Sequence, residues 1–175
     1  MKIIKEIKEK IEISLSEPHR QAELFVKKLL ENTEGIEILE DYTKPRSEAE
    51  KKQPDFIISI RGIPFKVGLE VKHRKIIKNK PFKDFTIIDE KIKIWEKEKR
   101  KVIYLIVLSF YENENEANNK DLFDSYNLFY LTTMDKIKRN KFNLDFIHRD
   151  FININHLIEK ENKLNTIIFR DLLIH

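Results

Sequence analysis

The sequence places two carboxylates and one ammonium group around a single predicted β-hairpin. Asp55 follows Pro54, and after fourteen intervening residues Glu70 and Lys72 stand on either side of Val71. Side chains alternate between the two faces of a strand, so Glu70 and Lys72 share one face while Val71 points toward the expected core. A chain that folds back between Asp55 and Glu70 brings all three charged groups to one point.

The residues between the two parts of this motif favour such a hairpin. Residues 56–60 and 65–71 are apolar runs with β-branched residues, and residues 61–64 carry turn chemistry. Glu-x-Lys also occurs elsewhere in the chain, but only in predicted helices or loops, beginning at Glu6, Glu50 and Glu161. The hairpin context therefore gives the motif its weight.

Composition limits the chemistry that this motif could support. The 175 residues are most simply one domain, spanning residues 1–175, and they are enough to bury a core. The absence of Cys excludes a disulfide framework, a thiolate metal site and a cysteine nucleophile. With 3 Gly, a glycine-rich phosphate loop is excluded as well. Any bound metal must use oxygen or imidazole ligands.

The apolar segments predict no membrane span. The first residues alternate charged with apolar side chains, and the longest apolar run, residues 102–108, is too short to cross a bilayer. We expect a soluble cytoplasmic protein.

Positive charge is concentrated just after the motif. The chain has 34 Lys plus Arg against 30 Asp plus Glu, a net charge of +4. Residues 72–83 contain five Lys and one Arg and no acidic residue. Such a patch suits a polyanion, so the sequence predicts contacts with nucleic acid from five residues of what reads as a loop: His73, Arg74, Lys75, Lys78 and Lys80. The alternative is a solvated loop in a lysine-rich chain.

Hydrophobic periodicity predicts a mixed sheet with helices on its faces. The predicted order is a helix from Ser16 to Gly35, a strand over 36–42, an exposed loop over 43–52, the hairpin, a helix over 84–100, a central strand over 102–108, a mobile loop over 112–121 and a strand over 127–132. The core spans about residues 16–132. The C-terminal extension, residues 133–175, contains two predicted short helices, from Thr133 to Arg139 and from Asn155 to about residue 162.

This order and the hairpin motif resemble the PD-(D/E)xK nuclease superfamily. In that resemblance Asp55 matches the Asp after Pro, Glu70 the acidic residue of the final triplet, and Lys72 its Lys. Glu23 matches a Glu that many members carry on the first helix. The resemblance implies an α/β protein with the restriction-endonuclease-like fold and an α-β-β-β-α-β core. It also implies a metal-dependent nuclease acting on nucleic acid, with a DNA endonuclease of the restriction, repair or junction type favoured.

Phosphodiester hydrolysis explains the residue types. It requires a water nucleophile at neutral pH and stabilisation of charge on the phosphoryl oxygens, and Mg²⁺ supplies both. Mg²⁺ prefers oxygen ligands, so Asp55, Glu70 and the Val71 carbonyl form a suitable protein half-shell, in which Mn²⁺ could substitute. Lys72 could orient the water or stabilise the transition state. Glu23 could complete the site, or be an exposed helix residue beside Arg20.

Two alternatives to a nuclease remain open. The chain could be a catalytically silent nucleic-acid-binding or assembly module that keeps the nuclease fold. It could be a structural protein in which Pro54-Asp55 starts a turn and Glu70 and Lys72 form a surface ion pair worth no more than about 1 kcal/mol. A solvent-facing Glu70 would favour this second alternative. Cutting both strands of a duplex would favour a homodimer.

Overall fold

A mixed sheet forms the centre of the protein, with helices packed on both of its faces. The computed structural model describes residues 18–82, 89–139, 143–161 and 163–174. Within them the sheet has six strands, which are β1 (Ile36–Asp41), β2 (Phe56–Ile60), β3 (Val67–Ile77), β4 (Lys101–Tyr111), β5 (Tyr126–Thr133) and β6 (Ile152–Asn153). The described helices are α1 (Pro18–Glu31), α2 (Glu48–Lys51), α3 (Asp89–Lys97), α4 (Glu114–Asn119), α5 (Met134–Arg139), α6 (Leu144–Asp150), α7 (Asn155–Glu161) and α8 (Thr166–Ile174), with a 3₁₀ turn at Leu122–Asp124.

The strands lie side by side in chain order, from β1 to β6. The neighbours β1 and β2, and β2 and β3, are antiparallel, whereas β3 and β4 are parallel. Strand β5 is antiparallel to both β4 and β6. The parallel step requires a crossover connection, and α3 lies in it. The predicted mixed α/β sheet flanked by helices is therefore confirmed, and so is the predicted hairpin.

The continuous apolar run in β4 explains its central position. Residues 102–109 are all buried, because β4 is covered on both faces. One face packs against α1 through Phe25, Leu29 and neighbouring residues. The other packs against α3 through Ile92 and Trp95. We call these the α1 face and the α3 face of the sheet.

Several predicted boundaries were wrong. Strand β3 does not end at Val71 but continues to Ile77, because each residue from Val67 to Ile77 has a partner on β4. The first part of the predicted basic loop is therefore strand. The predicted exposed loop over 43–52 contains the helical turn α2, and the predicted mobile loop over 112–121 contains α4. In α4, the Asn113 side chain caps the helix by accepting the Glu116 N–H.

Helix α1 was predicted correctly, although it ends at Glu31 and Gly35 stands in the following turn with a φ of 84°. Its predicted first residue, Ser16, and residues 84–88 of the predicted second helix lie outside the described residues. The described part of that second helix, α3, ends at Lys97. None of the described helices combines the length and apolar composition needed to span a bilayer.

The C-terminal residues complete the sheet as well as adding helices. Strand β6 pairs with β5 through Asn153 and Ile152. The chain then turns into α7 at Asn155, but the side chain of Asn155 does not cap this helix. Instead its Oδ1 accepts the Phe129 N–H at 2.7 Å, and its Nδ2 donates to the Asn127 carbonyl at 2.9 Å. Asn155 therefore binds the backbone of β5 where β6 has ended.

Candidate functional site

Asp55 meets strand β3 at the point where β2 begins. Phe56 pairs with Leu69, so continuing this antiparallel register sets Asp55 opposite Glu70. The Asp55 carboxylate oxygen Oδ2 accepts the Val71 N–H at 2.7 Å and so replaces a strand–strand bond. The N–H and C=O of one residue in a strand point to the same side, so the Val71 carbonyl also points toward Asp55.

The chain before Asp55 is held by two neighbours. The Asp55 carbonyl accepts the Tyr42 N–H at 2.8 Å, just beyond β1. Pro54 packs over Gly68, where an added Cβ would approach the proline Cγ to 2.7 Å. Glycine is therefore required at 68 by close contact, and this contact fixes where the Pro-Asp pair crosses β3.

Glu70 is buried on the α3 face, with 2 % of its surface exposed. Its Oε1 lies 2.8 Å from the Lys72 Nζ. The Lys91 ammonium of α3 lies 3.2 Å from Oε1 and 3.4 Å from Oε2. Glu70 therefore has two ammonium partners and does not face solvent, which argues against the simple surface ion pair. Leu69 and Val71 are fully buried on the α1 face, as the alternation predicted.

Burial and negative neighbours raise the pKa of Asp55 to about 7. Desolvation is the largest cause, and the Glu70 carboxylate is the next, while the hydrogen bond from Val71 acts in the opposite direction. The pKa of Tyr104 is also raised, first by its burial and then by the charges of Glu70 and Asp55. The site is thus a low-dielectric pocket in which a second negative charge is costly.

Glu23 lies on α1 and is nearly buried, with 6 % of its surface exposed. Its Oε2 accepts from Arg20 at 3.0 Å, and Arg20 also donates to the Thr43 carbonyl at 3.0 Å. Its Oε1 lies 2.9 Å from the His19 Nε2. This hydrogen bond to Glu23 raises the pKa of His19, and the charge of Glu23 contributes to the raised pKa of Asp55. Glu23 is therefore a buried neighbour of the site, not an exposed helix residue.

The two carboxylates and the backbone carbonyl at this point offer oxygen atoms as metal ligands. The Asp55 and Glu70 carboxylates and the Val71 carbonyl are the donor types that Mg²⁺ prefers. Among the described residues, no cluster of three or more His, Cys, Asp or Glu side chains is arranged to hold a metal ion.

No protein-family model, curated protein or solved structure matches the chain. The geometry and charge of this site are therefore the grounds for assigning a function.

His73 is half-buried on β3 and does not lie in a solvated loop. Its Nε2 lies 2.9 Å from the Ser109 Oγ, which donates to the Asn127 Oδ1 at 2.7 Å. Burial is the largest cause that lowers the pKa of His73, to about 3. At neutral pH His73 is therefore an uncharged part of a hydrogen-bonded chain on the α1 face.

The four basic residues predicted to bind nucleic acid have different surroundings. Arg74 is half-buried on β3, and the Lys75 ammonium donates to the Ala117 carbonyl of α4. The exposed Lys78 and Lys80 lie 2.7 Å from Glu112 and 3.2 Å from Glu114 respectively. The run has no acidic residue in sequence, but the structure brings acidic residues to its outer end. Contact with nucleic acid stays a prediction for all of them.

Sequence reasoning missed Lys91. It is 21 residues from Glu70 and stands within a lysine-rich helix, where its residue type does not distinguish it from its neighbours. One signal could have indicated that Lys91 lies at the site. It stands one turn before the buried Trp95, on the side of α3 that faces inward. The Lys91 ammonium lies 5.6 Å from the Trp95 ring centroid. Trp95 itself is a core residue.

Proposed function

We propose that the protein is a metal-dependent nuclease that hydrolyses phosphodiester bonds, with DNA as the favoured substrate and an endonucleolytic mode. One observation carries this proposal. Asp55 binds the backbone of β3 at Val71, directly between Glu70 and Lys72. The place where the pairing of β2 with β3 ends therefore brings together two carboxylates, a backbone carbonyl and an ammonium group.

The arrangement of the strands supports the same proposal. A helix is followed by three antiparallel strands, a crossover helix and a fourth strand parallel to the third. This α-β-β-β-α-β order, apart from the helical turn α2, is the one that the resemblance to the PD-(D/E)xK nucleases implies. We therefore propose the restriction-endonuclease-like fold for this sheet.

The residues at the site fit a hard divalent cation. Asp55, Glu70 and the Val71 carbonyl would hold it, and the unfavourable burial of two adjacent carboxylates is the condition that a cation relieves. When bound, Mg²⁺ supplies an acidified water and polarises the phosphate. Side chains around the site supply the remaining chemistry. Lys72 holds positive charge within the pocket for the phosphoryl oxygens, and Glu23 fixes the positions of His19 and Arg20 at the rim.

A silent nucleic-acid-binding module is the second candidate, and one observation favours it. Lys72 and Lys91 already neutralise Glu70, so this carboxylate is balanced without a cation. The two candidates differ in one measurable property. Only the nuclease cleaves.

Cleavage is tested by incubating the protein with supercoiled plasmid, linear duplex, single strand and four-way junction. We expect nicking of at least one DNA substrate with Mg²⁺ or Mn²⁺ and none with EDTA, because Asp55, Glu70 and the Val71 carbonyl offer the oxygen ligands that these cations prefer and the attacking water depends on the cation. Protein carrying Asp55→Ala serves as the control for contaminating nucleases. Wild-type protein that binds DNA but leaves every substrate intact would favour the silent module.

Metal binding can be followed without cleavage, because Trp95 is the single tryptophan of the chain. A cation at Glu70 competes with Lys91, whose ammonium stands over the Trp95 ring, so Mg²⁺ should change the Trp95 emission. Lys91→Met should remove most of this signal and tighten Mg²⁺ binding about threefold to tenfold in calorimetry, since one competing charge is lost. Lys93→Met, on the exposed side of the same helix, is the matched control. Unchanged Mg²⁺ affinity in Lys91→Met would contradict this competition.

A further inference from the structure

A groove of about 610 Å³ runs along β3 immediately beyond the candidate site. Strand β2 pairs with β3 only as far as Leu69, so the later residues of β3 have β4 on one side and the groove on the other. The groove begins at His73, the residue after Lys72, and extends past Ile77 to Phe82. At about 3.3 Å per strand residue, the part along β3 is on the order of 13 Å long, the length of a few nucleotides.

The groove combines an apolar floor with a positively charged rim. Ile76, Ile77, Pro81 and Phe82 supply the apolar surface. Phe82 is half-buried and packs against the core cluster of the α3 face, so its ring is supported from behind. An aromatic ring held by the core and bordering an open groove is suited to stacking on a flat ligand.

The charges of the groove select for an anion. Among the described residues, Arg74, Lys75 and Lys80 line it together with Glu114. His73 also lines it and is hydrogen-bonded to Ser109. Basic side chains beside an apolar, aromatic surface match the chemistry of a nucleotide, whose base is apolar on its faces and whose phosphate is negative.

We propose that this groove binds an unpaired base of the nucleic-acid strand being cleaved, with Phe82 as the stacking platform and Arg74 and Lys80 beside the adjoining phosphates. The proposal rests on the proposed nuclease function and deepens it, because a base can enter only when it is not paired in a duplex. The substrate class is therefore nucleic acid with a single-stranded segment next to the cleaved bond. Because the groove starts one residue from Lys72, the bound nucleotide neighbours the reacting phosphate.

Binding of a short fluorescein-labelled oligothymidylate, measured by anisotropy in EDTA, tests the groove separately from cleavage. Phe82→Leu keeps apolar volume in the core cluster but removes the ring, and it should weaken binding at least about fivefold. Phe82→Trp restores a ring and should bind within about twofold of wild type. A blunt duplex of the same length should change less than about twofold with either variant, because its bases are already stacked.

Two further variants act as controls. Phe65→Leu removes an exposed ring on the hairpin, away from the groove, and should bind oligothymidylate as wild type does. Lys80→Ala should flatten the dependence of log affinity on log salt by about 0.7, while Phe82→Leu leaves it unchanged, since stacking releases no counterion. Unaltered oligothymidylate binding in Phe82→Leu, or an equal loss for single strand and duplex, would overturn the proposal.

These results separate the groove from the nuclease. A Phe82 effect in EDTA, together with no cleavage of any substrate, would support the groove while the nuclease proposal fails. Cleavage with Mg²⁺ and no Phe82 effect would overturn the groove while the nuclease proposal stands.

Discussion

Lys72→Met should lower the rate of DNA cleavage by about a hundredfold or more, whereas Lys91→Met should lower it by less than about tenfold. Both variants remove one ammonium group from the same Glu70 carboxylate and leave the other in place. Lys72 stands next to the Val71 backbone that Asp55 binds, so in the proposed nuclease its charge would be the one nearest the reacting phosphate. A hundredfold loss corresponds to about 3 kcal/mol of transition-state stabilisation, as for one preorganised donor.

Comparing the two lysine variants is easier to interpret than replacing Glu70, because Glu70 is the partner of both ammonium groups. Glu70→Gln should also abolish most cleavage, but it leaves two largely buried ammonium groups without their carboxylate, which destabilises the fold. Thermal unfolding of both lysine variants provides the control for folding. Equal losses of activity in Lys72→Met and Lys91→Met would show that the pocket needs only net positive charge and assigns no special role to Lys72.

Asp55→Asn should stabilise the protein near pH 8 and have little effect near pH 4. The folded state raises the pKa of Asp55 from 3.8 to about 7, so the folded chain binds this proton more tightly than the unfolded chain. The contribution of Asp55 to the free energy of unfolding therefore falls as pH rises from about 4 to about 7, and it is constant above that range. Each pKa unit corresponds to about 1.4 kcal/mol, so the penalty removed near pH 8 is on the order of 4 kcal/mol.

An asparagine keeps the local geometry while it removes the charge. Its side-chain oxygen can still accept the Val71 N–H, so the variant tests the buried charge and not the hydrogen bond. Chemical denaturation at several pH values gives the free energies directly, and Mg²⁺ near pH 8 should stabilise wild type but not Asp55→Asn. A wild-type stability that is flat between pH 4 and 7 relative to Asp55→Asn would contradict the assignment.

The strongest local patterns in the sequence were sufficient to predict most of the sheet. The uninterrupted apolar run of β4 predicted a strand covered on both faces, and the alternation around Glu70 and Lys72 predicted which side chains enter the core on the α1 face. Periodicity could not show that Glu70 would be buried as well. That burial depends on α3, which brings Lys91 over the second face of β3 from a distant part of the chain.

The errors have a common physical origin. The run from Lys72 to Lys75 reads as a loop because four consecutive polar residues have poor strand propensity, yet pairing with the buried β4 overrides that preference. Helix α4 reads as a loop because it is rich in Asn and Glu, yet the Asn113 cap and one buried residue, Ala117, are enough to form it. In both places contacts with the sheet, to β4 for this run and between Ala117 and Lys75 for α4, add to what local propensity provides.

The two hydrogen bonds from the Asn155 side chain to β5 have a consequence for aggregation. A strand at the margin of a sheet offers unpaired backbone groups to other molecules, and β6 is only two residues long. Asn155 and the Ile154 N–H, which bonds to the Phe129 carbonyl at 2.9 Å, occupy backbone groups of Asn127 and Phe129 that β6 does not reach. The opposite margin, β1, is protected differently, by the negative charges of Glu37, Glu40 and Asp41. A protein shortened before residue 152 would retain every residue of the candidate site but would expose an apolar strand to self-association.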